Sequence, residues 1–170
     1  MTRFLNHYKK IICYDLLTKF CYNHNYNLPK ITQITLSLND TQDTKKTKLI
    51  DYLYLIKKLT GIQSKSTVFI KNKPHFKVKK HVIVGCKINL FNNNMYQFFE
   101  YLILILLPKQ QQIKPIRFSK KNPIVLNLYI KNWNNLKNTP EMQINFTLFS
   151  KSIRDSKILL NSFNLPITKD

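Results

Sequence analysis

A chain of 170 residues, 44% of them hydrophobic, is long enough to bury one core and form a single domain over residues 1–170. Its 28 Lys and Arg against 8 Asp and Glu leave a formal net charge of +20, which calls for a polyanionic partner and argues against chemistry built on acid pairs. No apolar run approaches the roughly 18 residues that a membrane-spanning helix needs; the most apolar stretch, Phe98 to Leu107, is short and interrupted by Glu100.

The basic residues are almost all Lys, the exceptions being Arg3, Arg117 and Arg154. Ala is absent and Gly appears twice, while Asn, Ile, Lys, Tyr and Phe abound. That bias follows AT-rich codons and points to a genome such as mitochondrial DNA. Physically it replaces planar Arg forks by Lys point charges, which suit phosphate contact better than base reading. Cys13, Cys21 and Cys86 are odd in number and form no CxxC pair, so no disulfide framework is expected. Cys13, Cys21 and His24 lack a fourth ligand and the usual spacing of a metal site, and no cofactor or metal is expected. Met1 to Asn6 run straight into a polar, aromatic segment without signal-peptide character, so an organellar chain of this kind is expected to be made in the organelle.

Along the chain, Tyr8, Ile11, Ile12, Leu16, Leu17 and Phe20 recur near helical period, predicting a helix over 7–22 that Asn23 to Asn27 breaks. Pro29 opens a segment in which Ile31, Ile34, Leu36 and Leu38 predict a strand, followed by a polar turn over 39–44. A second helix spans 45–60, with Gly61 as its stop. Val68 to Ile70 predict a short strand and Val82 to Leu90 another. Asn92 to Asn94 are expected to cap a helix over 95–107 that Pro108 ends. Residues 110–123 read as an exposed loop, 124–130 as a strand, 132–138 as a loop, 143–149 as a strand with one buried face, and 152–163 as the last helix. The irregular mixture favours an α+β fold: an antiparallel sheet with helices packed mainly on one face and two long basic loops.

Those loops are the strongest functional signal from the residues alone. Lys71, Lys73, Lys77, Lys79 and Lys80 crowd around Pro74 with His75 and Phe76 interleaved, a pattern of phosphate-neutralising charge and base-stacking rings. Lys109, Lys114, Arg117, Lys120 and Lys121 form the second set. Lys9, Lys10 and Lys19 are equally readable as a third contact or a solvated helix face. Asp15 and Asp51 stand alone, and no phosphate-cradling Gly loop or Cys–His pair occurs, so no enzyme is expected.

Several blocks in fixed order resemble one family. Gly85-Cys86-Lys87-Ile88-Asn89-Leu90, then Met95-Tyr96-Gln97-Phe98, then Leu107-Pro108, are similar to the L-five family of large-subunit ribosomal proteins. Leu28-Pro29-Lys30-Ile31 with Ile34 to Leu38, Leu59-Thr60-Gly61-Ile62-Gln63, Phe76-Lys77-Val78, Thr139-Pro140-Glu141 and Phe163-Asn164-Leu165-Pro166 extend the resemblance over nearly the whole chain. It implies a structural role in the central protuberance, binding 5S rRNA and large-subunit rRNA through polar positions that correspond to Ser37, Gln63 and Asn89, with Lys30, Lys65 and Lys87 beside them. Ser37 stands where the family prefers Asn, and Asn89 where it prefers Thr. The resemblance also implies that Lys71, Lys73, His75, Phe76, Lys77, Lys79 and Lys80 reach the P-site tRNA. Lys109, Lys114, Arg117, Lys120 and Lys121 would face a protein of the small-subunit head, with other central-protuberance proteins as neighbours. The expected setting is the mitochondrial matrix, in the mitochondrial ribosome.

Two other functions compete with an rRNA-binding role. A peripheral membrane protein would leave one face of the Phe98–Leu107 helix exposed and apolar; an RNA-modifying enzyme would need a carboxylate or Cys whose replacement abolishes turnover. Replacing Lys77, Lys79 and Lys80 together by Ala should leave the urea unfolding midpoint unchanged and weaken RNA binding in a filter or anisotropy assay. Unfolding of the triple variant would show these lysines to be structural.

Overall fold

The computed structural model describes residues 2–20, 22, 24–39, 46–68, 70, 83–108, 117–118, 124–130 and 141–165. Period-two alternation does most of the work. In β1 (Lys30–Asn39), Ile34, Leu36 and Leu38 point to one face and have no solvent exposure. In β6 (Met142–Phe149), Met142, Ile144, Phe146 and Leu148 do the same, opposite Leu38, Leu36, Ile34 and Ile31. β3 (Ile83–Leu90) adds Cys86, Ile88 and Leu90, and β5 (Ile124–Ile130) adds Ile124, Leu126, Leu128 and Ile130. With β2 (Lys65–Val68) and the two-residue β4 (Arg117–Phe118), they make an antiparallel sheet in the order β2-β3-β1-β6-β5-β4. Each strand's apolar parity lands on the same face because a one-residue slip would turn it outward.

Helices cover that face. The first helical segment runs through α1 (Arg3–His7), a π-turn (Tyr8–Ile12) and α2 (Cys13–Phe20). α3 (Lys46–Thr60) packs on β3 through buried Tyr52 and Ile56. α4 (Asn92–Tyr101) continues into a second π-turn (Leu102–Leu106), in which the Leu107 N–H donates to the Leu102 carbonyl at 2.9 Å. Most of the Phe98–Leu107 run is apolar because it is core: Phe98, Phe99, Leu102, Leu106 and Leu107 are buried, while Leu104 and Ile105 stay exposed. No helix among the described residues is long and apolar enough to cross a membrane. α5 (Ile153–Ser162) starts at Ser152, whose hydroxyl accepts the Asp155 N–H at 3.2 Å in a capping arrangement.

Aromatic rings tie the chain ends to the sheet. Phe163, just past α5, lies 5.1 Å from Phe99 of α4 and 5.6 Å from Phe4 of α1, centroid to centroid. Phe99 in turn meets Phe146 of β6 edge-on at 5.5 Å. The edge-to-face geometry adds to the burial of these large rings. Tyr8 donates its hydroxyl to the Pro29 carbonyl at 3.0 Å, fixing the helix to the entrance of β1; burial holds that phenol well above its ordinary pKa, so it stays a donor.

The sequence-based elements hold with four corrections. The first helix begins at Arg3, not His7, because Phe4 joins the aromatic cluster. The second strand covers Lys65–Val68 rather than Val68–Ile70: its pairing with β3, Lys65 opposite Lys87, overrides the β-propensity of the later run. Asn92 to Asn94 form the first turn of α4 rather than its cap, which is Phe91 in extended geometry without a side-chain bond. Within the expected 110–123 loop, Arg117 and Phe118 pair with Asn127 and Leu126 as β4. The expected turn over 39–44, apart from Asn39, and the 132–138 loop lie outside the described residues.

The two glycines are used differently. Gly61 takes φ +72 where α3 ends, its N–H donating to the Lys57 carbonyl at 2.8 Å, a helix stop that Gly adopts without strain. Gly85 faces Asn39 across the ladder, and a Cβ there would sit 2.0 Å from the Leu38 carbonyl oxygen. Gly85→Ala should therefore cost about 3 kcal/mol in urea unfolding, as overpacking against backbone does, whereas Gly61→Ala, which meets nothing within 4 Å, should cost about 1 kcal/mol from its backbone angle alone.

Candidate nucleic-acid interface

The helices leave the other face of the sheet open, and its composition can be read off the register. One row across the strands is Lys65, Lys87, Ser37, Gln143, Tyr129. The next is Asn89, Thr35, Asn145, Asn127. A third is Gln33, Thr147, Val125, and Lys30 meets Phe149 at the end. Among the described residues no strand residue is an acid; Glu141 lies just ahead of β6.

The polar side chains are organised among themselves. Gln33 donates Nε2 to Thr35 Oγ1 at 2.9 Å, and Thr35 passes its own proton to Asn89 Oδ1 at 3.1 Å. On β6, Gln143 Nε2 donates to Asn145 Oδ1 at 3.1 Å. Thr32, at the register shift in β1, donates to the Thr147 carbonyl at 2.9 Å. Such chaining fixes amide orientations, so the surface presents donors and acceptors at set positions. The lysine ammonium groups carry the charge, and Lys65 and Lys87 are directly opposed across β2 and β3. A like-charged pair at that spacing is unfavourable in isolation and favourable once a phosphate lies between or above it.

Of the residues expected to touch rRNA, Ser37, Lys65, Lys87 and Asn89 come together on this face in adjacent rows. Lys30 lies at the opposite end of the same face, its ammonium 5.6 Å from the centre of the Phe149 ring. Gln63 is exposed just ahead of β2, beyond the α3 stop. Ser37 is only 8% exposed, hemmed in by Lys87 and Gln143, so its hydroxyl has little reach. Reasoning from the sequence missed Gln33, Thr35, Asn127, Gln143, Asn145 and Phe149; the polar parity of Gln143, Asn145 and Thr147 was the available signal. Lys71, Lys73, His75, Phe76, Lys77, Lys79 and Lys80, which join β2 to β3, lie outside the described residues, as do Lys109, Lys114, Lys120 and Lys121.

Nothing described competes as a reaction centre. Among the described residues, no three His, Cys, Asp or Glu side chains gather where a metal could be held. Burial pushes the Cys86 thiol up to about 11, making it a core side chain rather than a nucleophile. Asp15 and Asp51 are exposed on α2 and α3. Glu100 is engaged by Arg3, whose Nε donates to Oε1 at 2.7 Å.

Fold and surface thus define a class: an α+β protein in which helices back an antiparallel sheet whose open face is cationic, amide-rich and free of acids. No family model matches the chain. Curated relatives do, end to end. It is 28% identical to large ribosomal subunit protein uL5m of Reclinomonas americana, over 99% of this chain and 100% of that one. It is 26% identical to large ribosomal subunit protein uL5 of Buchnera aphidicola from Cinara cedri and 26% identical to that from Schizaphis graminum, each over 99% of this chain and 100% of the relative. Over its whole length the chain is thus similar to large-subunit ribosomal proteins named uL5 and uL5m.

The opposed lysines give a testable trade-off. Lys87→Met should stabilise the isolated protein by roughly 0.2–1 kcal/mol at low ionic strength, a gain that fades at 1 M salt as screening removes the repulsion, and should weaken RNA binding. Chemical denaturation at two salt concentrations measures the first effect and a binding titration the second.

Proposed function

We propose that this chain is a structural constituent of the large subunit of a mitochondrial ribosome, holding rRNA of the central protuberance against the open face of its sheet. The observation that carries the reading is the acid-free face on which Lys65 and Lys87 stand beside Ser37, Asn89 and Thr35. Phosphates neutralise the lysines and set the register, while the fixed hydroxyls and amides recognise sugar and base edges. Both 5S rRNA and large-subunit rRNA have the chemistry this face takes. The mitochondrial setting is supported by uL5m of Reclinomonas americana and by the AT-rich coding bias, which also favours encoding in the organelle. The lysine run 71–80 would reach the P-site tRNA, where charge and reach matter more than residue identity. The run 109–121 would face a protein of the small-subunit head. A membrane-surface role has no support from the Phe98–Leu107 helix, whose large side chains mostly enter the core.

An interface that neutralises about six to ten phosphates should lose roughly 10³ to 10⁵ in affinity between 50 and 200 mM salt. Titrating the full chain against rRNA fragments across that range tests the reading, and a flat salt response would sink it. Gradient fractionation of mitochondrial ribosomes should place the chain with the large subunit.

A further inference from the structure

The open face is divided chemically. Its lysines sit on β2, β3 and the first residue of β1, as Lys65, Lys87 and Lys30. β5 and β6 carry no charged residue at all. Their open-face side chains are Val125, Asn127, Tyr129, Gln143, Asn145, Thr147 and Phe149. A strand pair without cations can hydrogen-bond a phosphate but cannot neutralise it. Amides and half-exposed rings offer what a nucleobase requires: a π-surface to stack on, and paired donors and acceptors for its edges.

The placement supports this division. Phe149 is 49% exposed and Tyr129 40% exposed, large rings kept partly in water on a face that is otherwise polar. Tyr129 lies opposite Gln143, six residues from Phe149 along β6, about 20 Å at strand spacing. RNA-binding sheets of other folds stack two or three bases on aromatic side chains. Between the rings, the Gln143–Asn145 hydrogen bond leaves the Asn145 amide nitrogen and the Gln143 carbonyl oxygen uncommitted among the described residues. Asn127, adjacent to Asn145 in register, makes no side-chain bond to a described residue either. The Lys30 ammonium over the Phe149 ring puts a cation at the corner where a stacked nucleotide's own phosphate would follow.

We propose that the β5–β6 half of the face is a subsite for two or three unpaired nucleotides of RNA. Their bases stack on Phe149 and Tyr129 and their edges meet Asn127, Gln143 and Asn145, while β2–β3 takes the phosphates of an adjoining segment. This rests on the open face being an RNA surface, and it adds that one half of that surface distinguishes unpaired from paired RNA.

The test compares an unstructured 12-nucleotide oligouridine with a blunt RNA duplex, using the full chain, Phe149→Leu, Phe149→Trp, and the Lys65→Ala/Lys87→Ala double variant. Phe149→Leu keeps the apolar bulk and removes the π-face. It should weaken oligouridine binding roughly fivefold to a hundredfold, the range for loss of one stacked base, with duplex affinity and salt slope unchanged. Phe149→Trp should retain or exceed the original affinity, which separates stacking from any loss of fold. The lysine double variant should weaken both RNAs and flatten the salt dependence. Equal losses on both RNAs for Phe149→Leu, or none on oligouridine, would overturn the subsite and leave the RNA-binding reading standing. Failure of the unmodified chain to bind either RNA would overturn both.

Discussion

Ile34, Leu36 and Leu38 have no contact with solvent, and the strand that carries them is hydrogen-bonded along both edges, to β3 on one side and β6 on the other. The rest of the molecule depends on that double pairing. The three side chains anchor the helix layer, and the residues between them, Thr35 and Ser37, lie at the middle of the opposite face. Antiparallel alternation makes these two outcomes inseparable: register that buries Ile34 also delivers Thr35 to Asn89 on one side and Asn145 on the other. The binding surface is thus the reverse side of the core, positioned by the same hydrogen bonds.

That arrangement lets a strongly charged chain fold. With +20 to accommodate, the protein keeps its core free of ionised groups; the buried polar residues of the described set are hydroxyls, Thr35, Ser37, Ser64 and Ser156. Lysines are placed where their stems lie on the sheet and their ammonium groups stay in water. The directly opposed Lys65 and Lys87 oppose stability in the free protein and favour association with a polyanion. Charge that would be a liability in a free-standing protein is an asset in one that associates with a polyanion.

Much of this was legible in the residues. Alternation over 143–149, helical periodicity over 45–60 and the Gly61 stop reproduce β6, α3 and its end to within a residue or so, because one buried face leaves a period that sequence alone displays. The Gly85-Cys86-Lys87 block proved to be a strand centre in which Gly is required by the Leu38 carbonyl and Cys86 by the core, with only Lys87 facing out. What could not be read was anything created by pairing between distant segments. Nothing local tells that Asn89, Thr35, Asn145 and Asn127 form one row, or that Phe149 meets Lys30 across more than a hundred residues of sequence. Local propensity also misplaced β2, where cross-strand partners outweigh the Val-Phe-Ile run.

The position of β1 has a consequence for biogenesis. β1 is the first strand to leave the exit tunnel, yet the edge that pairs with β6 has no partner until residues 142–149 have been made, and the aromatic cluster closes only with Phe163. Its long-range pairings dominate the sheet, a topology that folds slowly. During synthesis the nascent chain therefore holds an unpaired, apolar strand edge for most of its length, a species prone to misassociation. The polar rows of the open face are completed across β6 and β5 only at the end of translation. A chain truncated before β6 would still bring Lys65, Lys87, Ser37, Asn89 and Thr35 together on β1 to β3 but would lack Gln143, Asn145 and Phe149 and leave β5 without its partner, so the uncharged half of the face is the last part of the protein to form.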